Sequence, residues 1–227
     1  MIQLEGVSRD YSTEHVRTSA VSNVNLDVPA GQYCAITGPS GCGKSTLLGI
    51  VGLMDQGYSG SYRLNGQEMA SASPARLRRA RNEDIGFVFQ AFNLVPDISV
   101  LDNILLPCQF SSSGIVSKDR ASAGELAERF GLSARLKHMP GQLSGGQQQR
   151  VAIARALIRN PVVVVADEPT GNLDSAATEV ILGIFDEIHG GGTTLVVVTH
   201  DMQVASRAER RVSMRDGSVL AAAGNGG

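Results

Sequence analysis

Gly38-Pro39-Ser40-Gly41-Cys42-Gly43-Lys44-Ser45 constrains this chain more than any other stretch. A loop of the form G-x-x-x-x-G-K-S requires a strand before it and a helix after it. Tyr33-Cys34-Ala35-Ile36-Thr37 reads as a buried strand, and a helix is predicted from Lys44 through Gly49 or beyond. The glycines let backbone N–H groups converge on phosphate oxygens with no Cβ in the way. The helix N-terminus adds partial positive charge at the same place. Lys44 then reaches the β and γ phosphates of a nucleoside triphosphate, and the Ser45 hydroxyl faces Mg2+.

The rest of the chain supplies the elements that such a loop needs. Ile2-Gln3-Leu4 and Val21 to Val28 read as strands, the second with every other residue apolar from Val24. Pro29-Ala30-Gly31-Gln32 is a turn, and Ser61 to Gly66 is a strand ending in an Asn-Gly turn. From Ala91 to Gly141 the pattern turns helical, most clearly over Val100 to Leu106 and Gly124 to Phe130, with Ser111-Ser112-Ser113-Gly114 as a flexible break. A helix is predicted over Ser144 to Arg159, with Ser144 as its N-cap and Val151, Ala154 and Ile158 on one apolar face. Val162 to Val165 and Leu195 to Val198 are apolar at every position, so both are expected as parallel strands buried on two faces. Gly190-Gly191-Gly192 turns the chain into the second of them, and the tail Ala221 to Gly227 reads as disordered.

Length and composition narrow the class. At 227 residues the chain holds one large α/β domain or a domain with an insertion. A net charge of −2 gives no field that would draw it to nucleic acid or an anionic membrane. The run Arg76-Leu77-Arg78-Arg79-Ala80-Arg81 reads as a solvated helix face. Cys34, Cys42 and Cys108 match no disulfide or metal spacing and fit a reducing cytoplasm. The first residues lack the layout of a signal peptide, and no apolar run approaches the roughly 20 residues that span a bilayer. A membrane role therefore has to come through a partner.

Two further stretches carry chemistry. Four apolar residues lead into Asp167-Glu168, which puts Asp167 at the C-terminal edge of a strand, where open α/β sheets bind ligands. Asp167 is expected to hold Mg2+ through water. His200 follows Val196-Val197-Val198-Thr199 and reaches the same edge, where its imidazole can donate to a γ-phosphate. His15, His138 and His189 read as surface residues. The other stretch is Leu143-Ser144-Gly145-Gly146-Gln147.

With these residues in place, the chain resembles the nucleotide-binding subunits of ABC transporters over nearly all of its length. The resemblance implies a P-loop α/β core with an N-terminal antiparallel β subdomain and an inserted α-helical subdomain. Residues 1–90 and 160–220 would form the core with the β subdomain, and 91–159 the helical part with the signature Leu143 to Gln147. It makes Glu168 the general base for the attacking water, and Gln90, at the end of Gly86-Phe87-Val88-Phe89-Gln90, a residue touching Mg2+ and that water. Lys44, Glu168, His200 and Gln90 are then the catalytic set. Gly38 to Ser45 with Thr46 bind ATP, and Tyr11 stacks on its adenine, a contact that contributes roughly 1–3 kcal/mol. Ser144, Gly145, Gly146 and Gln147 serve the ATP of an opposing copy in an ATP-bound homodimer, and Asp174 closes the segment Gly171-Asn172-Leu173-Asp174 along that seam. Ser45, Gln90 and Asp167 are the metal set.

Thr170 to Asp174, Phe92-Asn93-Leu94-Val95-Pro96 and Leu101 to Pro107 resemble one branch in particular, the ATPases of lipoprotein-release, macrolide-efflux and antimicrobial-peptide export systems. The cell-division ATPases are a near alternative. A soluble, nucleic-acid-associated ABC ATPase is disfavoured by the lack of coiled coils, zinc modules or basic extensions. The branch implies a separate membrane permease with a large extracytoplasmic domain and a location on the inner face of the cell membrane. Phe92 to Pro107 would form most of the groove for a permease helix, through Phe92, Leu94, Val95, Ile98 and Val100.

Overall fold

The run of strands after the N-terminus divides into two sheets. The computed structural model describes residues 1–12, 17–111 and 114–220. The expectations for His15, Ser112, Ser113 and the tail from Ala221 lie outside those residues. The strands are β1 (Ile2–Ser12), β2 (Arg17–Val28), β3 (Tyr33–Thr37), β4 (Ser59–Leu64), β5 (Gln67–Glu68), β6 (Ile85–Val88), β7 (Val163–Asp167), β8 (Thr194–Val198), β9 (Arg210–Arg215) and β10 (Ser218–Val219). The helices are α1 (Lys44–Val51), α2 (Pro74–Glu83), α3 (Val100–Gln109), α4 (Ser117–Arg129), α5 (Gly145–Leu157), α6 (Ser175–Gly190) and α7 (Met202–Arg207).

The first sheet is antiparallel, in the order β2-β1-β4-β5. Asn65 and Gly66, both at positive φ (52° and 76°), make the tight turn between β4 and β5 that the Asn-Gly pair predicts. The second sheet runs β10-β9-β3-β8-β7-β6. Its strands are parallel except β10, which folds back on β9.

The all-apolar runs have the predicted consequence. Along β3, β7 and β8, alternate residues enter two separate cores. Tyr33, Ala35, Val164, Ala166, Leu195 and Val197 join the core under α3 to α7. Cys34, Ile36, Val163, Val165, Val196 and Val198 join the one shared with α1 and the antiparallel sheet. One boundary differs: the strand begins at Val163, and Val162 is 36% exposed. Val162 donates its N–H to Asp84 O (3.0 Å) just before the ladder begins. The helix predicted over Val100 to Leu106 continues to Gln109 through Pro107.

The basic run lies on α2, where Pro74 occupies the first turn and Ser73 Oγ accepts from Arg76 N. Of the histidines read as surface residues, His138 and His189 are half-buried; the His189 ring packs edge-on to Tyr33 with centroids 5.8 Å apart. No helix among the described residues is long and apolar enough to cross a membrane.

Candidate nucleotide and catalytic site

β3, β7 and β8 end side by side, and the loops leaving them carry the charged residues. The phosphate loop leaves β3 with Gly38, Gly41 and Gly43 at positive φ (155°, 77° and 99°). Gly38 and Gly43 have a second reason to be glycine. A Cβ on Gly38 would stand 2.2 Å from Met214 O, and one on Gly43 would stand 2.0 Å from Ala20 O. The loop is therefore clamped between β9 and β2. Gly43 caps α1 with no side-chain hydrogen bond, which leaves the first N–H groups of the helix for an anion. Pro39, Ser40 and Gly41 are exposed, Cys42 is buried, and Thr46 is half-buried in the first turn. Lys44, 8% exposed, folds its Nζ back onto Gly38 O and Pro39 O, both at 2.9 Å.

Across the sheet edge, Ser45 Oγ donates to Asp167 Oδ1 at 3.3 Å. Burial pushes the Asp167 carboxyl above the ordinary aspartate value, and the neighbouring Glu168 charge adds to the shift; the Ser45 hydrogen bond and the Lys44 charge oppose it. Glu168 sits at φ 44°, a left-handed conformation that costs a non-glycine residue on the order of 1–3 kcal/mol. Its N–H donates to Val198 O (2.9 Å) and its carbonyl accepts from Gly171 N (3.0 Å), which fixes the residue across β7 and β8. Its carboxylate is held on several sides. His200 N donates to Oε1 and Oε2 (3.0 and 3.3 Å), His200 Nδ1 lies 2.7 Å from Oε1, and Thr199 Oγ1 donates to Oε2 at 3.2 Å. The Glu168 side chain is 15% exposed and that of His200 72%.

Gln90 lies beyond the end of β6, in a turn. Its carbonyl accepts from Asn172 Nδ2 (3.0 Å), and its Nε2 is so close to Gly171 that a Cβ there would be 2.9 Å away. Gln90 and the segment 171–172 after Glu168 thus meet. Ser144 caps α5 as predicted, and Gln147 returns the favour: Gln147 N donates to Ser144 Oγ (3.3 Å) and Ser144 N to Gln147 Oε1 (2.9 Å). Gly145 lies against Leu173 and Phe92, and Gly146 against Ala177 of α6. Asp174 caps α6, accepting from Ala177 N at 2.7 Å. Tyr11, 44% exposed, lies near the end of β1 with its hydroxyl donating to Asp55 Oδ2 at 2.8 Å.

Two further residues support the site with no local signal in the sequence. Thr199, fully buried, binds the Glu168 carboxylate and accepts from Asp201 N (3.0 Å). Gln149, buried on α5, donates its Nε2 to Pro169 O at 2.6 Å and so ties the signature helix to the segment after Glu168. Each was hidden by position: Thr199 ends an apolar run as an ordinary β-branched residue, and Gln149 is the third of three glutamines. A cavity of about 990 Å3 is lined by Arg78 and Arg81 of α2, by Phe87 and Phe89, and by Leu106 and Phe110. Of the stretch from Phe92 to Pro107, Asn93, Leu106 and Pro107 reach it. Val100 is fully buried because the apolar face of α3 turns inward, and Leu94 packs against the same core.

A sheet edge of this kind, with a phosphate loop, a strand-end carboxylate pair and a histidine, defines a P-loop nucleoside triphosphatase. The ABC transporter family model matches residues 21–171, and the chain belongs to the ABC transporter family as its ATP-binding cassette, an ATPase. The chain is 46% identical over 224 residues to the macrolide export ATP-binding/permease protein MacB of Escherichia coli, covering 99% of this chain and 34% of that protein. It thus spans about a third of the length of such relatives. It is 44% identical to the uncharacterized ABC transporter ATP-binding protein YknY of Bacillus subtilis, covering 98% of this chain and 96% of that one. Among solved structures, the dimeric bacterial ABC transporter cassette MJ0796 superposes with a TM-score of 0.92 at 41% identity over the whole of both chains. A post-hydrolysis form of that cassette, bound to ADP and Pi, matches equally well at 40% identity.

Proposed function

We propose that this chain hydrolyses ATP in a head-to-tail dimer and that the closing and opening of the dimer drives a membrane permease of the export or mechanotransmission type. The observation that carries the reading is the juxtaposition of two groups at one sheet edge: the Ser45–Asp167 pair, and a Glu168 carboxylate immobilised by Thr199 and His200.

The γ-phosphate of ATP rests against the N-terminus of α1 and takes Lys44 from the loop carbonyls it binds otherwise. Ser45 and Asp167 are a hydroxyl and a half-buried carboxylate within hydrogen-bond reach, a donor set that suits Mg2+, which binds through one or two protein oxygens plus phosphates. Gln90 completes the set. Bound there, Mg2+ would neutralise charge developing on the phosphates. Glu168 polarises the attacking water, and His200 donates to the γ-phosphate. Ser144 to Gln147, at the start of α5, face the ATP of the opposing chain, and Asp174 lies along the seam between the copies. Tyr11 carries the adenine. Residues 91–159 act as the helical unit that couples nucleotide state to the permease.

The cavity edged by α2, β6 and α3 takes a cytoplasmic helix of the permease, with Phe87 and Phe89 (stacked at 4.2 Å) as its apolar floor. The similarity to MacB, which carries ATPase and permease in one protein, supports a permease partner of that kind. The similarity to the dimeric MJ0796 cassette supports the dimer. Glu168→Gln tests the reading. The variant should bind ATP, hydrolyse it about 10²–10⁴-fold more slowly, and elute as a dimer in ATP. Near-normal turnover would refute Glu168 as the base. A Glu168→Gln, Ser144→Arg double variant should bind ATP as a monomer, and a dimer would refute the trans role of Ser144.

A further inference from the structure

Arg9 and Tyr11 lie two residues apart near the end of β1, and the arginine is built into the protein more firmly than the tyrosine. The Arg9 guanidinium lies 4.4 Å from the centroid of the Tyr11 ring. Its Nε donates to Asp55 Oδ2 (2.8 Å), and its Nη1 donates to Gly57 O (2.8 Å) and Asp10 O (3.2 Å). Gly57, in the segment after α1, leaves room for it: a Cβ there would stand 2.4 Å from Arg9 Nη1. Asp55 is shared: Oδ2 also accepts the Tyr11 hydroxyl at 2.8 Å, while Oδ1 accepts Gly57 N at 2.9 Å. Arg9 and Asp55 side chains are 22% and 18% exposed, against 44% for Tyr11. The arginine therefore covers one face of the ring, while the residue as a whole stays 44% exposed.

We propose that Arg9 is a positioning residue for nucleobase binding: with Asp55 it locks the Tyr11 ring so that its other face is presented, already oriented, to the purine of the nucleotide. The inference rests on the reading of Tyr11 as the adenine platform. A planar guanidinium stacks on an aromatic face and forks to several acceptors at once, which a lysine ammonium does not reproduce. A ring already held in one orientation loses no rotational freedom when the base arrives. Stacking does not read base identity, so ATP and GTP should feel the lock alike.

The test compares Arg9→Ala, Arg9→Lys and Tyr11→Ala for Kd of ATP, GTP and inorganic tripolyphosphate, with kcat at saturating ATP. Arg9→Ala should raise Kd for both nucleotides about 3- to 10-fold, leave tripolyphosphate binding unchanged, and keep kcat within about 2-fold. Arg9→Lys, which retains the charge beside Asp55, should fold as the wild type and show the same loss. In a Tyr11→Ala background, Arg9→Ala should add nothing. If Tyr11→Ala leaves nucleotide affinity unchanged, the platform itself is wrong and the role of Arg9 falls with it. If Tyr11→Ala weakens binding and Arg9→Ala does not, the platform stands and the lock is refuted. An equal loss of tripolyphosphate binding, or full affinity in Arg9→Lys, refutes it too.

Discussion

Thr199→Val is the substitution that most directly separates the geometry of this site from its composition. Valine keeps the β-branched shape of a fully buried side chain just after β8 and puts a methyl in place of the hydroxyl. Two hydrogen bonds go with it, one donated to Glu168 Oε2 (3.2 Å) and one accepted from Asp201 N (3.0 Å). A hydrogen bond to a charged group contributes about 1.5–3 kcal/mol. Glu168 keeps its contacts with His200, so its carboxylate is not abandoned but is free to turn. If that whole contribution is felt in the transition state, about 1.4 kcal/mol per decade translates it into a 10- to 100-fold fall in kcat. Phosphate release at saturating ATP measures it, with Thr199→Ser as the control that retains the hydroxyl and should stay within about 3-fold. In a Glu168→Gln background the Thr199→Val effect should vanish, because the group it orients has lost its function. A Thr199→Val rate within about 2-fold of wild type, or an equal fall in the Glu168→Gln background, would refute the argument that Thr199 acts through Glu168.

Other variants probe the rest of the site. Lys44→Ala removes the ammonium that otherwise rests on Gly38 O and Pro39 O, and should weaken ATP binding by about 10-fold or more; unchanged affinity in a nucleotide titration would count against its phosphate role. Gly43→Ala drives a Cβ to 2.0 Å from Ala20 O at a φ of 99°, so thermal unfolding should reveal a loss of several degrees or no folded protein at all; a wild-type Tm would contradict the clamped loop. The Asp55 carboxyl has burial acting to raise its pKa, yet hydrogen bonds from Arg9, Gly57 and Tyr11 hold it below the ordinary 3.8. Its contribution to stability is therefore present above that value and lost as pH falls through the depressed one. The stability gap between wild type and Asp55→Asn in urea should be constant from about pH 7 to 5 and close below about pH 4; a gap that persists at low pH would show that the carboxylate charge is not its source.

Much of the fold was legible because its signals are local. Apolar runs at Tyr33–Thr37 and Leu195–Val198 mark strands buried on both faces, and Ser144 with Gln147 three residues later marks the start of α5. Asn65-Gly66 marks its turn for the same reason, since both residues tolerate positive φ. Less legible was the role of the apolar residues of α3: Val100 and Ile104 serve the core, and the spacing of apolar residues does not say which neighbour they will meet.

The amino-acid sequence by itself determined the phosphate loop, the carboxylate pair at the end of β7, the histidine after β8 and the parallel strands that carry them, because each is written in residues adjacent along the chain. Only the tertiary structure decided how the groups are held. Thr199 reaches Glu168 across 31 positions, Arg9 reaches Asp55 across 46, and Gln149 reaches Pro169 across 20. Met214 and Ala20 approach the loop glycines from strands far from it in sequence. The left-handed turn at Glu168 exists because β7 and β8 lie side by side and bind it across the sheet. Such contacts depend on which elements become neighbours, and that is settled by packing the two cores on either face of the parallel sheet rather than by any one segment.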